Sequence, residues 1–304
     1  MRSRGIHRFA VLTAAATLVL IFVGGLVTST GSGLAVPDWP LSYGQLFPPM
    51  VGGVFYEHGH RMVATTVGLM MTALAVWIFL RERRRFIAWL AAAALAAVIL
   101  QGVLGGITVL FLLPPAVSVL HACLAQAFFC LIVTLAVVTG RNWPGDADAS
   151  LRRSTRSLAT AATIAVFLQL ILGAVMRHTG AGLAIPDFPL AQGRVVPPLG
   201  DAKVAIHFAH RVWALVVVIL VGAVVTRVLR SASRPSPLRV PALLMASLAL
   251  IQIALGAITV LSAKAVLPTT AHVATGAALL GTSLVLALRA WAPVSPAMEE
   301  ARAA

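Results

Sequence analysis

The sequence predicts an all-α membrane protein: eight transmembrane helices, arranged as two parallel-repeat four-helix bundles about a pseudo-two-fold axis along the membrane normal. Three observations carry that expectation. The chain of 304 residues is 60% hydrophobic and only 11% charged, far too apolar for a soluble domain. Apolar runs of about 20 residues, the length a helix needs to cross a hydrocarbon core about 30 Å thick, recur eight times. Finally, the first half of the chain is repeated in the second.

The spans fall near 9–28, 57–80, 86–111, 116–139, 157–177, 204–226, 240–261 and 268–288. They are continuously apolar and do not alternate with period two, which favours helices over a barrel. The first has a basic start like a signal peptide, but its apolar run is longer and no small-residue cleavage site follows, so it is read as a retained span. Cys123 and Cys130 lie about two turns apart on one helix, roughly 10 Å, too far for a disulfide. They are read as small packing residues.

The net charge of +14 does not indicate a nucleic-acid binder, because the basic residues alternate sides. Arg2, Arg4 and Arg8 precede the first span, and Arg81, Arg83, Arg84 and Arg85 follow the second. Arg141, Arg152, Arg153 and Arg156 follow the fourth, Arg227, Arg230, Arg234 and Arg239 the sixth, and Arg289 and Arg302 the last. The other side holds only Arg177, Arg194, Lys203 and Lys264, with Arg61 and Arg211 inside spans. By the positive-inside rule both termini are cytoplasmic and the long 29–56 and 178–203 loops face outward. With no mitochondrial-type presequence, the expected location is a prokaryotic cytoplasmic (inner) membrane.

The repeat is direct. Across 30–49 and 179–198, 12 of 20 positions are identical, from Thr30-Gly-Ser-Gly-Leu-Ala-Val-Pro-Asp-Trp-Pro-Leu41 against Thr179-Gly-Ala-Gly-Leu-Ala-Ile-Pro-Asp-Phe-Pro-Leu190 to the closing Pro-Pro. His60-Arg61 matches His210-Arg211, Gln101 matches Gln252, Leu104-Gly-Gly-Ile-Thr-Val matches Leu255-Gly-Ala-Ile-Thr-Val, and His121 matches His272. Four spans per unit is an even number, so both units insert in one orientation. Residues 1–139 form the first half, 140–156 a cytoplasmic linker containing Pro144, Gly145 and two aspartates, and 157–304 the second half. Gly102 and Gly106, four apart, allow close approach of a helix or a flat ligand.

An ionisable residue inside a span is a functional candidate by default. His60, His121, His210 and His272 each lie roughly 5–10 Å below the outer boundary at 1.5 Å per helical residue. Two imidazoles per bundle on opposite faces of a flat macrocycle suit a six-coordinate haem iron. Interhelical hydrogen bonding and a bound metal are the competing readings, the latter without a Cys, Asp or third His to complete a usual sphere. Arg61 and Arg211 are candidates for haem propionates, with snorkelling as the alternative. Glu57, one turn before His60, is replaced by His207 in the second half. It is the candidate proton acceptor at the porphyrin edge, or else an interfacial carboxylate. Asp38, Asp187, Trp39, Phe188 and His58 are read as structural; His7 and His178 lie outside the spans without a role.

Together, the Thr-Gly-Ser-Gly-Leu-Ala-Val-Pro-Asp-Trp-Pro loop, Glu57-x-x-His60-Arg61, Leu104-Gly-Gly-Ile-Thr-Val, His121 and their second-half copies resemble the haem A synthase family over essentially the whole chain. The resemblance implies oxidation of the C8 methyl of haem O to a formyl group by successive hydroxylations, water supplying the oxygen. It implies that His60 and His121 bracket the substrate haem with Glu57 near the reacting methyl. His210 and His272 would ligate a b-type haem that relays electrons to an acceptor of unspecified kind. Haem O synthase and cytochrome oxidase assembly factors are the partners it suggests. Some members carry a cysteine pair in the first outer loop; this loop has none, and Ser42 stands in the region where a cysteine is often found. A di-haem electron-transfer cytochrome and a haem-binding or haem-transfer protein are the alternative functions. Glu57, lacking a second-half counterpart, favours the enzyme.

Overall fold

The computed structural model describes residues 4–140, 143, 149–231 and 236–293. Eight helices span them: α1 (Arg4–Ser29), α2 (Gly53–Arg81), α3 (Arg85–Leu110), α4 (Pro115–Thr139), α5 (Ala149–His178), α6 (Ala202–Arg230), α7 (Arg239–Leu261) and α8 (Val266–Trp291). All eight are long and apolar enough to cross a membrane. Among the described residues there is no β-strand, only two isolated bridges, Ser42 with Gln45 and Ala191 with Arg194. The expected all-α membrane architecture is what the chain forms.

The helices run beyond the apolar runs at several ends. The largest difference is in the expected linker 140–156, since α5 already begins at Ala149. Its first turns are polar in composition yet packed: Leu151 and Thr155 are buried and Arg152 is 1% exposed. A long cationic side chain covers apolar surface with its stem, so hydropathy alone places this helix start too late. Arg2, Arg141, Pro144, Gly145, Asp146, Asp148, Arg234 and Arg302 lie outside the described residues.

Within residues 4–140, α1 packs on α2 and α4, and α3 on α2 and α4; α5 packs on α6 and α8, and α7 on α6 and α8. Across the middle, α1 meets α8, α4 meets α5, and α4 meets α8. Two separate apolar cores result. One joins Ile6, Ala10, Met71, Leu74, Ile78, Ile87, Ala91, Ile132 and Leu135. The other joins Ala162, Val221, Val224, Val228, Leu238, Met245 and Leu286. Both cores lie at the basic end of their helices, away from the four histidines. Between them Ile21, Phe129, Val133 and Ala277 form a smaller cluster. There Gly281 admits Phe129, since a Cβ at 281 would sit 2.9 Å from the ring. Large apolar side chains such as Leu80, Trp89, Leu215 and Leu250 remain exposed, as suits a lipid-facing surface.

The repeat is legible in the backbone as well. Tyr43 and Gly44 have φ of 53° and 68°, and Gln192 and Gly193 have 55° and 72°, giving each loop a tight turn with two left-handed central residues. Asp38 accepts from the Tyr43 and Gly44 amides at 2.7 and 2.8 Å, and Asp187 from the Gln192 and Gly193 amides at the same distances. Those amides hold both carboxyls below their ordinary value of 3.8. The Trp39–Pro40 and Phe188–Pro189 bonds are both cis. Helices α3 and α7 end alike, with Leu112 and Leu113, then Ala263 and Lys264, at positive φ.

Candidate functional site

Each of the four intramembrane histidines faces a glycine on the preceding helix. A Cβ built on Gly24 of α1 would lie 3.0 Å from His60 Cε1 on α2, and one on Gly105 of α3 would lie 3.3 Å from His121 Cε1 on α4. The second half repeats this, with Gly173 of α5 at 3.2 Å from His210 Cε1 on α6 and Gly256 of α7 at 3.1 Å from His272 Cε1 on α8. Glycine inside a helix costs about 1 kcal/mol relative to alanine, so four at matched positions need a cause. Here it is the ring packed against the helix backbone.

The histidines fall in two couples along the chain, His60 and His121 on α2 and α4, and His210 and His272 on α6 and α8. Among the described residues no group of three or more His, Cys, Asp or Glu gathers as a metal cluster, so each couple stands without a third ligand.

Glutamines set the tautomers. Gln101 Nε2 donates to His121 O at 2.9 Å and lies 3.4 Å from His121 Nε2. Gln169 Nε2 donates to His210 O at 3.0 Å and lies 3.2 Å from His210 Nε2. An amide NH₂ only donates, so these rings accept at Nε2 and carry the proton on Nδ1. His272 reaches the same state directly, because its Nδ1 donates to Gln252 O at 3.1 Å while Gln252 Nε2 lies 3.4 Å from its Nε2. A neutral imidazole is the form that would ligate iron, and at His121, His210 and His272 the glutamine amide beside Nε2 would have to give way to it. His60 differs, with no side-chain hydrogen bond among the described residues. Nδ1 of His60, His121 and His210 is buried without a partner. Imidazoles lying against glycines, where a flat ring can approach closely, fit a site in which histidines would hold a haem.

The residues beside His60 and His210 hold the outer loops. Glu57, 4% exposed, accepts the Val36 amide on Oε2 at 2.8 Å and pairs through Oε1 with Arg61 at 2.7 Å. Arg61 also donates to the main-chain oxygens of Asp38 and Leu41 at 2.8 Å and of Val36 at 3.3 Å. Arg211 donates to the oxygens of Leu190, Ile185 and Asp187 at 2.9, 3.0 and 2.7 Å. The donors offered by sequence to propionates therefore point at loop carbonyls. His58 Nδ1 meets Ser42 Oγ at 2.8 Å, a buried tie whose second-half positions are Phe208 and Ala191. Trp39 lies on Gly106, where a Cβ would be 2.7 Å from the ring, whereas Gly102 has nothing within 4 Å. His7 Nδ1 contacts Ala136 O at 2.8 Å, joining α1 to α4. Cys123 and Cys130 are free.

Sequence reasoning missed the glycine partners, Gln169 and the link across the halves. In that link Arg177 donates to Gly25 O at 3.0 Å and Ser29 Oγ at 2.8 Å, and Thr270 Oγ1 donates to Ser29 Oγ at 3.0 Å. His178, adjacent to Arg177, interacts electrostatically with His121, and Arg177 with His272. Gly24 and Gly173 share the repeat offset, which is the signal that would have found them.

Fold and site define a class, a multi-pass helical membrane protein that presents coupled imidazoles against glycine-lined helices. Residues 7–53 and 51–284 match the family described as cytochrome oxidase assembly protein. A haem A synthase of Halalkalibacterium halodurans is 30% identical over 266 residues, covering 85% of this chain and 88% of that protein. One of Geobacillus kaustophilus is 30% identical over 299 residues, covering 94% and 92%. One of Caulobacter vibrioides is 28% identical over 341 aligned positions, covering 96% and 98%. The chain belongs to this haem A synthase family of cytochrome oxidase assembly proteins.

Proposed function

We propose that the protein is a haem A synthase of a bacterial inner membrane, oxidising the C8 methyl of haem O to a formyl group by successive hydroxylations. The carrying observation is the histidine arrangement: four imidazoles at repeat-related positions, each ring against a glycine of the preceding helix. In this reading residues 1–139 and 157–304 are the two halves of a pseudo-two-fold pair. His60 and His121 bracket the substrate in the first, and His210 and His272 hold a resident b-type haem in the second. A b-type haem supplies one-electron chemistry when bound. Both termini are cytoplasmic and both sites lie toward the outer side, the basic helix ends facing inward.

Converting –CH₃ and H₂O to –CHO releases four protons and four electrons, so the site needs a proton acceptor as well as an electron acceptor. Glu57 is the carboxylate on the His60 helix, one turn away. A carboxylate offers about four lone-pair positions, and the Val36 amide and Arg61 use two. Its remaining capacity suits it to accept the protons released when a methyl C–H gives up two electrons to the electron acceptor and water then adds at that carbon. Any contact of Arg61 or Arg211 with haem propionates competes with their loop bonds. These arginines act chiefly by holding the outer loop over the site. The test is chromatography and mass analysis of pigment from protein produced with a haem O supply. Hydroxylated haem and haem A are the expected products; haem O recovered unchanged overturns the reading.

A further inference from the structure

The basic residues that the sequence places on the outer side, Arg177, Arg194, Lys203 and Lys264, all belong to the second half. Three of them gather around one turn. The Lys203 ammonium approaches Gly180, 3.8 Å from where a Cβ would stand, and the Lys264 Cδ approaches Gly182, 3.7 Å from the corresponding point. Arg177 accepts the Gly180 amide on its main-chain oxygen at 3.3 Å. None of the three has a carboxylate partner: among the described residues the ion pairs are Arg61 with Glu57 and Arg84 with Glu82. Asp201, the carboxylate beside Lys203 in sequence, accepts the Lys203 and Val204 amides at the start of α6. Arg177 commits Nη2 to Gly25 O and Ser29 Oγ, and among the described residues its Nε and Nη1 have no hydrogen bond. Three cations about one turn repel one another unless an anion joins them.

Their places on the helices tie them to the second histidine couple. Lys203 stands seven residues before His210 on α6, on the same face and two turns out, about 10 Å at 1.5 Å per residue. Arg177 stands four residues after Gly173, the glycine under His210, so it continues that face of α5 one turn out. Lys264 lies in the turn leading into α8, which carries His272. The same construction in the first half gives Gly53, seven before His60, and Thr28, four after Gly24. Its third member is Leu113, which lies on Gly33 as Lys264 lies on Gly182. All three are uncharged. A Cβ on Gly53 would stand 2.8 Å from that of Ala35, so as packed that place has no room for a lysine.

We propose that Arg177, Lys203 and Lys264 form a carboxylate-binding rim for the two propionates of the haem in the second site, and that the first site has no such rim. The proposal rests on the assignment of His210 and His272 to a resident haem. Both carboxylates of the macrocycle leave from one edge. Toward the basic helix ends that edge would enter an apolar core, where an anion is costly; toward the outer end it meets the three cations. There the guanidinium offers a planar fork and the lysines offer mobile point charges. Arg211 is already taken up by loop carbonyls, which leaves this duty to the rim. A haem in the second site is thus held at its edge as well as through its iron. One in the first site has only neutral side chains at the matching places, a difference that suits a resident pigment beside a passing one.

The test titrates full-length protein, purified free of haem, with ferric haem b and with its dimethyl ester, whose carboxyl groups carry no charge. The low-spin absorbance that His210→Ala abolishes reports the second site. In Lys203→Gln/Lys264→Gln the ratio of acid to ester affinity should fall by about 10-fold, exposed ion pairs being worth a few-fold each. Adding Arg177→Gln should lower the ratio further. Ester affinity should stay at the wild-type level, whereas a merely structural role would weaken acid and ester alike. An unchanged ratio in the double variant, or an equal loss of both ligands, overturns the proposal. Both lysines are exposed, so their replacement should leave the fold intact. If the double variant does not accumulate, the same ratio in Lys203→Gln alone decides. Failure of the underlying assignment looks different: with neither ligand would a low-spin signal depend on His210.

Discussion

The Val36 amide donates to Glu57 at 2.8 Å, and the equivalent Ile185 amide donates to His207 Nδ1 at 3.3 Å. Carboxylate and imidazole therefore share one structural duty, pinning the outer loop to the first turns of a helix. What differs between the halves is charge, since only Glu57 pairs with its neighbouring arginine. That separates the loop-holding part of Glu57 from its proposed chemistry. Glu57→Gln keeps an acceptor for the Val36 amide and should keep haem. Conversion of haem O, followed by chromatography, should fall by about 10²–10⁴-fold if the base is lost. Wild-type conversion would remove the catalytic role, and loss of haem would make Glu57 a loop anchor alone.

His210→Ala and His272→Ala should each abolish a low-spin haem signal while the protein still inserts. Electron paramagnetic resonance of the purified variants checks this, and an unchanged low-spin signal in both would exclude the pairing.

Filling a cradle should displace its ring. At Gly173 a Cβ would already lie 3.2 Å from His210 Cε1, so Gly173→Val forces the imidazole or α5 to move. Haem content of the second site should drop severalfold, read by pyridine haemochrome assay. Overpacking of this kind typically costs about 1–3 kcal/mol, so a lower melting temperature should accompany it. Gly102→Val, where nothing lies within 4 Å, is the control and should change neither.

Acid should loosen the outer loops. Backbone amides hold Asp38 and Asp187 below their ordinary 3.8, so their contribution is complete above that value and is lost as pH falls through the lowered one. Protection of the Tyr43, Gly44, Gln192 and Gly193 amides, measured as exchange relative to the intrinsic rate at each pH, should therefore be flat from neutrality to about pH 5 and fall below the carboxylate range. Asp38→Asn should raise exchange at Tyr43 and Gly44 at neutral pH as well.

Orientation is checked by reporter fusions. Those in the 29–52 and 179–201 loops should read as external and one in 141–148 as cytoplasmic, and a long loop found inside would reverse the topology.

Helix number and the repeat were legible in the sequence because a membrane span needs continuous apolarity and a duplication preserves identity. Asp38 was legible as a structural residue because it lies between prolines. The start of α5 was not, since Arg152 reads as solvent-facing until its stem is seen buried. The four histidines stood out as ionisable groups in apolar surroundings. Their glycine partners did not, because a helix of alanine, leucine and glycine does not itself mark which glycine faces a ring, and only the shared repeat offset of Gly24 and Gly173 does. Arg61 read as a ligand-facing cation for a similar reason: main-chain carbonyls, which take most of its donors, leave no mark in a sequence.

The two apolar cores sit at the basic helix ends, and the imidazoles at the other. Substitutions around Met71, Ile132, Val224 or Met245 should therefore retune melting temperature while leaving the histidine end of the helices alone. Changes near the loop end should alter that end at little cost to the scaffold. Robustness and chemistry are kept in different places along the same helices, so a lineage can adapt one to temperature or lipid thickness without renegotiating the other.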